Sequence, residues 1–305
     1  QKPLHLPFVY DDIECPCVVH IKNHYYLIGS IREDITVRYW FAPELQGEYH
    51  TFHANVLLPQ GNYAARVVMN GDHALINNFY FVGGDVDTHR VLPPPKELGV
   101  DDKGRLYLKS YYRWKEKCGK TWTQGAFPNP KVILDNPTAI YDMSDQNNWI
   151  MSSKSGYEYF CCQKPAEDYI WEGQLQLQGL GKTGFLLECN ESGSGYHISL
   201  DFENGFIQFR SWGYNHKDNK NNFIFKNLQT NQFEILPNHE IEFKIIKYGN
   251  YYEVSINGIV KLTLLDYTYN KGYIGIYTAS AKVALKNSVF TELKGCQEEY
   301  NHPKK

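Results

Sequence analysis

The sequence lacks the features that would point to a membrane, to nucleic acid or to zinc. Its 305 residues contain no run of 18 or more apolar residues, so we predict no membrane-spanning helix. The formal net charge is only −3, which gives no electrostatic reason to expect nucleic acid or an anionic membrane. The seven cysteines include no Cys-x-x-Cys pair, which argues against a zinc site. We therefore predict no nucleic-acid partner, no membrane partner, no metal and no cofactor.

Two of the cysteines, Cys15 and Cys17, flank a proline directly after Glu14. Residues two apart on a strand face the same side, but this short separation rarely accommodates a disulfide. Most of the cysteines are expected to be buried free thiols. A nucleophilic cysteine paired with a histidine is an alternative that rests on residue type alone.

Helical periodicity is almost absent, and this absence points to a chain that is nearly all β. Short runs such as HYYLIGSI and TVRYWFA carry β-branched and aromatic residues between Asn, Gly, Asp and Pro breakers. Two successive units, one from Glu14 to about Leu58 and one beginning at Asn62, are each about four strands long. That is the size of one propeller blade, and two blades cannot close a ring.

The sequence of the remaining two-thirds indicates a domain boundary followed by a β-sandwich. Residues 118–157 are irregular, with Asn-Pro and Gly punctuation, and we assign them to a linker. In residues 158–305, alternating strands such as GYHISLDFENGFIQFRSWG and IEFKIIKYGNYYEVSINGIVKLTLL are joined by Asn-Gly and Gly-Asn turns. This pattern is typical of a jelly-roll or concanavalin-like sandwich of two sheets.

The first third resembles a known enzyme family. In order, DIECPCVVHIKNHYYLIGS, REDITVRYWFAP, LLPQGNYAARVV and RVLPPPKELGVDDKGRLYLKSY resemble the closing blades of the five-bladed β-propeller glycoside hydrolases. These are the invertase, levanase and inulinase family 32, with relatives in families 43 and 68. The resemblance covers residues 8–115 and, more weakly, the sandwich at 158–293. It implies that residues 1–117 are the C-terminal blades of a propeller catalytic domain.

The resemblance implies a β-fructosidase-like glycosidase that cleaves a carbohydrate substrate with two carboxylates. The Glu-Cys-Pro at Glu14 is similar to the motif that carries the family's acid/base glutamate. A partly desolvated carboxyl at a strand end can hold its proton near neutral pH. For the candidate substrate-binding residues, packing or an ion pair at the blade edge is the alternative. They are Asp12, Arg32, Asp34, Asn62, Tyr63 and Arg66.

The sequence departs from the family in its second carboxylate. The family's nucleophile lies in an Asn-Asp-Pro motif and its transition-state-binding aspartate in an Arg-Asp-Pro motif, and neither motif occurs here. We expect the missing blades to lie in an upstream propeller segment or a companion chain. Asp12, two residues before Glu14 on the same strand face, is the in-chain alternative for a second acid.

A non-catalytic role is the competing interpretation of the same sequence. In that case the blades have lost their catalytic activity, and the sandwich is a carbohydrate-binding or structural module. Aromatic residues that could bind a glycan are Trp171, Trp212 and Tyr214.

Overall fold

The computed structural model describes residues 10, 12–53, 55–82, 89–214, 223–233 and 238–295. Within these residues the regular structure is almost entirely antiparallel strand, with two short 3-10 helices at Tyr112–Lys117 and Gln124–Ala126. The prediction of an all-β chain is confirmed. In the described part of the chain, no helix has the length and apolar character needed to cross a membrane.

The chain divides into two compact units. The first comprises Gln1–Tyr112 and Thr263–Leu265, and the second comprises Arg113–Leu262 and Asp266–Lys305.

The first unit contains two small sheets of the size expected for propeller blades. One has the strand order β1-β2-β3-β4, and the other has the order β5-β6-β8-β9 with β7 paired to β6. The strands are β1 (Ile13–Ile21), β2 (His24–Ile31), β3 (Thr36–Ala42), β4 (Val56–Leu58), β5 (Asn62–Asn70), β6 (His73–Val82), β7 (His89–Val91), β8 (Lys96–Val100) and β9 (Leu106–Lys109).

Tight turns and a small aromatic core hold the first sheet together. The β1–β2 turn contains Lys22 at a φ of 53°, in the left-handed region that two-residue hairpin turns require. Behind the sheet, Trp40 and Tyr49 are fully buried and pack with Leu27 and Ile31. Each such side chain contributes about 1.5–3 kcal/mol through burial.

The second unit is a sandwich of two large sheets. One has the order β12-β13-β24-β15-β20-β21-β22 with β10 paired to β24, and the other has the order β11-β14-β23-β16-β17-β18-β19. The strands are β10 (Cys118–Thr123), β11 (Lys131–Val132), β12 (Ala139–Asp145), β13 (Asn148–Ser153), β14 (Tyr157–Gln163), β15 (Tyr169–Gln178), β16 (Lys182–Cys189), β17 (Gly195–Asp201), β18 (Phe206–Tyr214), β19 (Phe223–Gln232), β20 (Glu240–Tyr248), β21 (Tyr251–Ile256), β22 (Ile259–Leu265), β23 (Tyr273–Ala279) and β24 (Lys282–Leu293).

Alternating side chains form the sandwich core, as the sequence pattern predicts. Phe185 on β16 packs edge-to-face against Trp171 on β15, with ring centroids 5.6 Å apart, and lies 4.6 Å from Phe243 on β20. These three residues join the two sheets. The predicted Asn-Gly turn follows β21, where Asn257 and Gly258 both have positive φ.

The segment 118–157 differs from the irregular linker that the sequence predicts. It contributes β10, β12 and β13 to one sheet and β11 to the other. Most side chains of β10 and β12 are exposed, so these strands lack the buried alternation that marks the others, and Asn-Pro and Gly punctuation separates them. The last strand, β24, lies inside its sheet and pairs with β10, β13 and β15, all of which precede it by more than 100 residues.

Candidate functional site

Glu14 lies at a bulge near the start of β1. It is opposite Ser30 on β2, and the register shifts by one residue between Glu14 and Cys17. Cys15 has a φ of 51°, and Pro16 has no N–H to give to the ladder. A bulge at this point redirects the side chain beside it, which is how strands commonly present a functional group. Cys15 and Cys17 are free thiols.

Two side chains hold the Glu14 carboxylate. The Tyr63 hydroxyl, from β5, donates a hydrogen bond of 2.7 Å to Glu14 Oε2. Arg32 Nη1 lies 3.6 Å from Glu14 Oε1 and 3.1 Å from Asp12 Oδ2. Burial and the hydrogen bond to Glu14 raise the pKa of Tyr63, so its phenol keeps its proton and remains a donor.

A second bulge lies on β5, directly after Tyr63. The register of β5 with β6 shifts between Tyr63 and Arg66, and Ala64 has a φ of 51°. The Arg66 guanidinium donates to the Cys15 carbonyl, and the Ala64 N–H donates to Ser30 Oγ at 2.8 Å. The hydrogen bond from Arg66 to Cys15 therefore joins the bulge of β5 to the bulge of β1, and Tyr63 lies opposite Glu14 as a result. The sequence pattern did not predict that Ser30 would bind the second bulge. The first bulge has a sequence signal, which is the proline at position 16 inside a strand.

Five of the seven predicted site residues come together in this way, and two do not. Asp34 lies in the β2–β3 turn, where it accepts hydrogen bonds from Thr36 and Arg38. Asn62 is fully buried; its amide donates to the Pro59 carbonyl at 2.8 Å and accepts from Asn78 at 2.8 Å. The hydrogen bonds of Asp34 lie within its turn, whereas Asn62 also donates to the distant Thr263 carbonyl at 3.1 Å; both side chains are therefore engaged in holding the fold. The structure does not place them beside Glu14.

The Glu14 cluster is open to solvent on one side. The side chain of Glu14 is 38% exposed, that of Asp12 40% and that of Arg32 70%. Tyr63, in contrast, is only 8% exposed. The carboxylate therefore has a buried donor behind it and an accessible face in front, which is the arrangement needed to exchange a proton with a bound molecule.

One of the sandwich aromatics proposed to bind a glycan is not available for that role. Trp171 is 2% exposed, and its indole N–H donates to Ser288 Oγ at 2.7 Å. It faces the core because it lies on the inward side of a central strand. Trp212 is half-buried and Tyr214 is 45% exposed, so both have surface that a ligand can reach.

No protein-family model matches the sequence, and no curated protein sequence matches it. Solved structures do resemble it, with 93% of this chain covered in each of three cases. Sucrose-6-phosphate hydrolase from Lactobacillus gasseri is 16% identical with a TM-score of 0.60, over 55% of its own chain. Exo-inulinase from Aspergillus awamori is 10% identical with a TM-score of 0.62, over 57%. The family 32 β-fructofuranosidase from Bombyx mori is 11% identical with a TM-score of 0.56, over 55%.

At this level of identity the likeness shows the fold. The chain has the propeller-blade and β-sandwich architecture of the family 32 glycoside hydrolases. It spans little more than half the length of these three structures.

Proposed function

We propose that this chain is part of a β-fructosidase-like glycoside hydrolase in which Glu14 is the acid/base residue. The observation that carries the proposal is the Glu14 carboxylate, raised on a bulge and held by Tyr63 at 2.7 Å, with one face accessible. The fold supports the same class of reaction, because the solved structures that share it are a sucrose-6-phosphate hydrolase, an exo-inulinase and a β-fructofuranosidase.

In the proposed reaction, protonated Glu14 gives its proton to the glycosidic oxygen as the bond to the anomeric carbon breaks. The resulting carboxylate accepts the Tyr63 hydrogen bond, which stabilises it and keeps it oriented. Glu14 then takes a proton from the incoming water and returns to its starting state if the reaction proceeds through a covalent intermediate. Arg32, which is highly exposed, is placed to contact a substrate hydroxyl.

The reaction needs a second carboxylate on the other side of the anomeric carbon. Asp12 directly precedes β1 and is held by Arg32 at 3.1 Å beside Glu14, so it is poorly placed to attack from the opposite side. We propose that the second carboxylate comes from further blades, in an upstream segment or a companion chain.

The test replaces Glu14 with Gln in the protein assembled with those blades. We expect the rate of sucrose or inulin hydrolysis to fall by about 10²–10⁴-fold, because general acid catalysis contributes about that much. In the first turnover, Glu14→Gln should release fluoride from a β-fructosyl fluoride at most of the wild-type rate, because this leaving group needs no proton. Liberated sugar and fluoride report the two reactions.

The matched control is Glu48→Gln, which alters an exposed glutamate of the same unit. This variant should hydrolyse both substrates at the wild-type rate. An equal loss in Glu14→Gln of the sucrose rate and of fluoride release in the first turnover would contradict the acid role. Unchanged hydrolysis of sucrose in that variant would contradict it as well and would favour a non-catalytic module.

A further inference from the structure

The sandwich carries a polar cleft on the face of one sheet that points away from the core. On β17, Tyr196, Ile198 and Leu200 are at most 1% exposed and belong to the core. Because side chains alternate along a strand, His197 and Asp201 face the opposite way. The cleft lies over this outward face and is open to solvent; the space over its lining, open solvent included, is about 500 Å³. Its lining comes from β14, β16, β17, β18 and β23.

His197 forms the floor of the cleft and has an unused hydrogen-bonding atom. The residue is 5% exposed, yet its Nε2 has no hydrogen-bond partner. Its ring stacks between Trp212, at 5.4 Å, and Tyr277, at 5.9 Å. A backbone hydrogen bond with Gly193 occupies the other nitrogen. A buried polar atom without a partner is unfavourable, and a bound ligand can supply the missing hydrogen bond.

The protonation state of His197 defines what Nε2 can bind. Burial lowers the pKa of His197 to about 4, and Arg210 acts in the same direction, so the ring is neutral at pH 7. The hydrogen bond with Gly193 favours the proton-bearing form, so the ring N–H donates to the Gly193 carbonyl. Nε2 is then a bare acceptor, and its natural partner is a hydroxyl group.

The rim of the cleft supplies both donors and an acceptor. Lys182 and Arg210 offer N–H groups, and the carboxylate of Asp201 accepts hydrogen bonds from Asn204. Burial alone would raise the pKa of Asp201, but the hydrogen bonds from Asn204 and the charge of Lys182 lower it, so the group stays ionised. The lining therefore matches a ligand rich in both donors and acceptors.

Aromatic surface continues the cleft at both sides. Tyr157, 51% exposed, stacks on Tyr277 with ring centroids 6.0 Å apart. At the other side Trp212 meets Phe225, which is 59% exposed, at 5.0 Å. Flat aromatic faces beside mixed polar groups fit the C–H face and the hydroxyls of a pyranose or furanose ring.

We propose that this cleft binds one sugar residue of a glycan chain. His197 Nε2 accepts a hydrogen bond from a sugar hydroxyl, and Lys182 and Arg210 donate hydrogen bonds to hydroxyl oxygens. Trp212 or Tyr157 stacks on the sugar ring. The site contains no residue of the Glu14 cluster. It gives the chain a means of holding a polysaccharide that is independent of hydrolysis.

The experiment is affinity electrophoresis of the full chain in native gels that contain inulin, levan, dextran, xylan or arabinan. We expect at least one neutral glycan to retard the wild-type protein. Lys182→Met, Trp212→Ala and His197→Phe should each raise the dissociation constant at least tenfold, as titration calorimetry with an oligosaccharide of the retarding glycan measures. Lys182 is exposed, so its variant should fold even if His197→Phe does not.

Two controls separate this site from the proposed active site. Glu14→Gln should bind the glycan as the wild type does, whatever its effect on hydrolysis. Tyr141→Ala removes a 47% exposed tyrosine from β12 of the other sheet and should also bind normally. The proposal is wrong if none of these neutral glycans retards the wild type, or if Lys182→Met and Trp212→Ala bind with unchanged affinity.

Discussion

At the scale of single residues, the proposed reaction depends on Tyr63, which orients the Glu14 carboxylate. A glutamate side chain has three rotatable bonds, and most of its orientations would carry the carboxyl away from a substrate. The 2.7 Å hydrogen bond from a phenol that is 8% exposed selects one orientation. Tyr63 is therefore a positioning residue in the proposed reaction.

Removing the phenol oxygen should cost more activity than stability. In Tyr63→Phe the ring remains packed, and Glu14, which is 38% exposed, can replace the lost bond with water. We expect kcat/KM for sucrose or inulin to fall about tenfold, equivalent to about 1.4 kcal/mol. The free energy of unfolding, measured in urea, should change by less than about 1 kcal/mol. A variant as active as the wild type would show that Tyr63 does not position Glu14.

The sequence motif located Glu14, and the residues that meet it were predicted only in part. Glu-Cys-Pro signals a strand interrupted by proline, and spacing along a strand places Asp12 on the same face. Asp34 and Asn62 carry suitable side chains, but hydrogen bonds engage Asp34 within its turn and Asn62 with Pro59, Asn78 and the distant Thr263. Whether a polar residue of this unit faces Glu14 depends on the register and the bulges between paired strands. A local sequence pattern does not contain that information.

At the scale of elements, one buried carboxylate fixes the start of the sandwich. Glu158 on β14 is 0% exposed and accepts four backbone N–H groups. The donors are Ile133, Leu134, Asn136 and Tyr159, at 2.7–3.1 Å. This residue holds the end of β11 and the loop after it against the sheet. No sequence pattern predicts this arrangement, because the donors are backbone groups of a kind found in every residue except proline.

Replacing the Glu158 carboxylate with an amide should destabilise the sandwich. In Glu158→Gln the two carboxylate acceptors become one oxygen and one NH₂ donor, which then faces backbone donors. We expect a loss of about 2–4 kcal/mol in the free energy of unfolding, since buried backbone N–H groups lose their partners. Urea unfolding of the variant measures this loss. Glu203→Gln, at an exposed turn position, should unfold like the wild type; equal stability of both variants would contradict the assignment.

At the scale of the whole molecule, the cleft histidine makes stability depend on pH. The pKa of His197 is lowered from 6.5 to about 4 in the folded chain, mainly by burial. Below pH 6.5 the unfolded chain therefore binds a proton that the folded chain cannot accept. The free energy of unfolding should fall as the pH drops from 6.5 to 4, by about 3 kcal/mol at most from this residue.

The measurement compares wild type and His197→Phe in urea at pH 7 and at pH 4.5. Other titrating groups contribute equally to both proteins, so the difference between their slopes isolates His197. We expect the wild type to lose more stability than the variant over this interval. Parallel pH profiles would mean that His197 titrates normally in the folded protein.

The place of β24 in its sheet has a consequence for how the protein is made. The strand that completes the interior of the sheet leaves the ribosome after all the strands that it joins. Until Lys282–Leu293 emerges, the flanks of β13 and β15 expose backbone groups that can pair with other nascent chains. Synthesis of the sandwich therefore has a vulnerable interval before this strand emerges, when a chaperone that shields open sheet edges would be of most use.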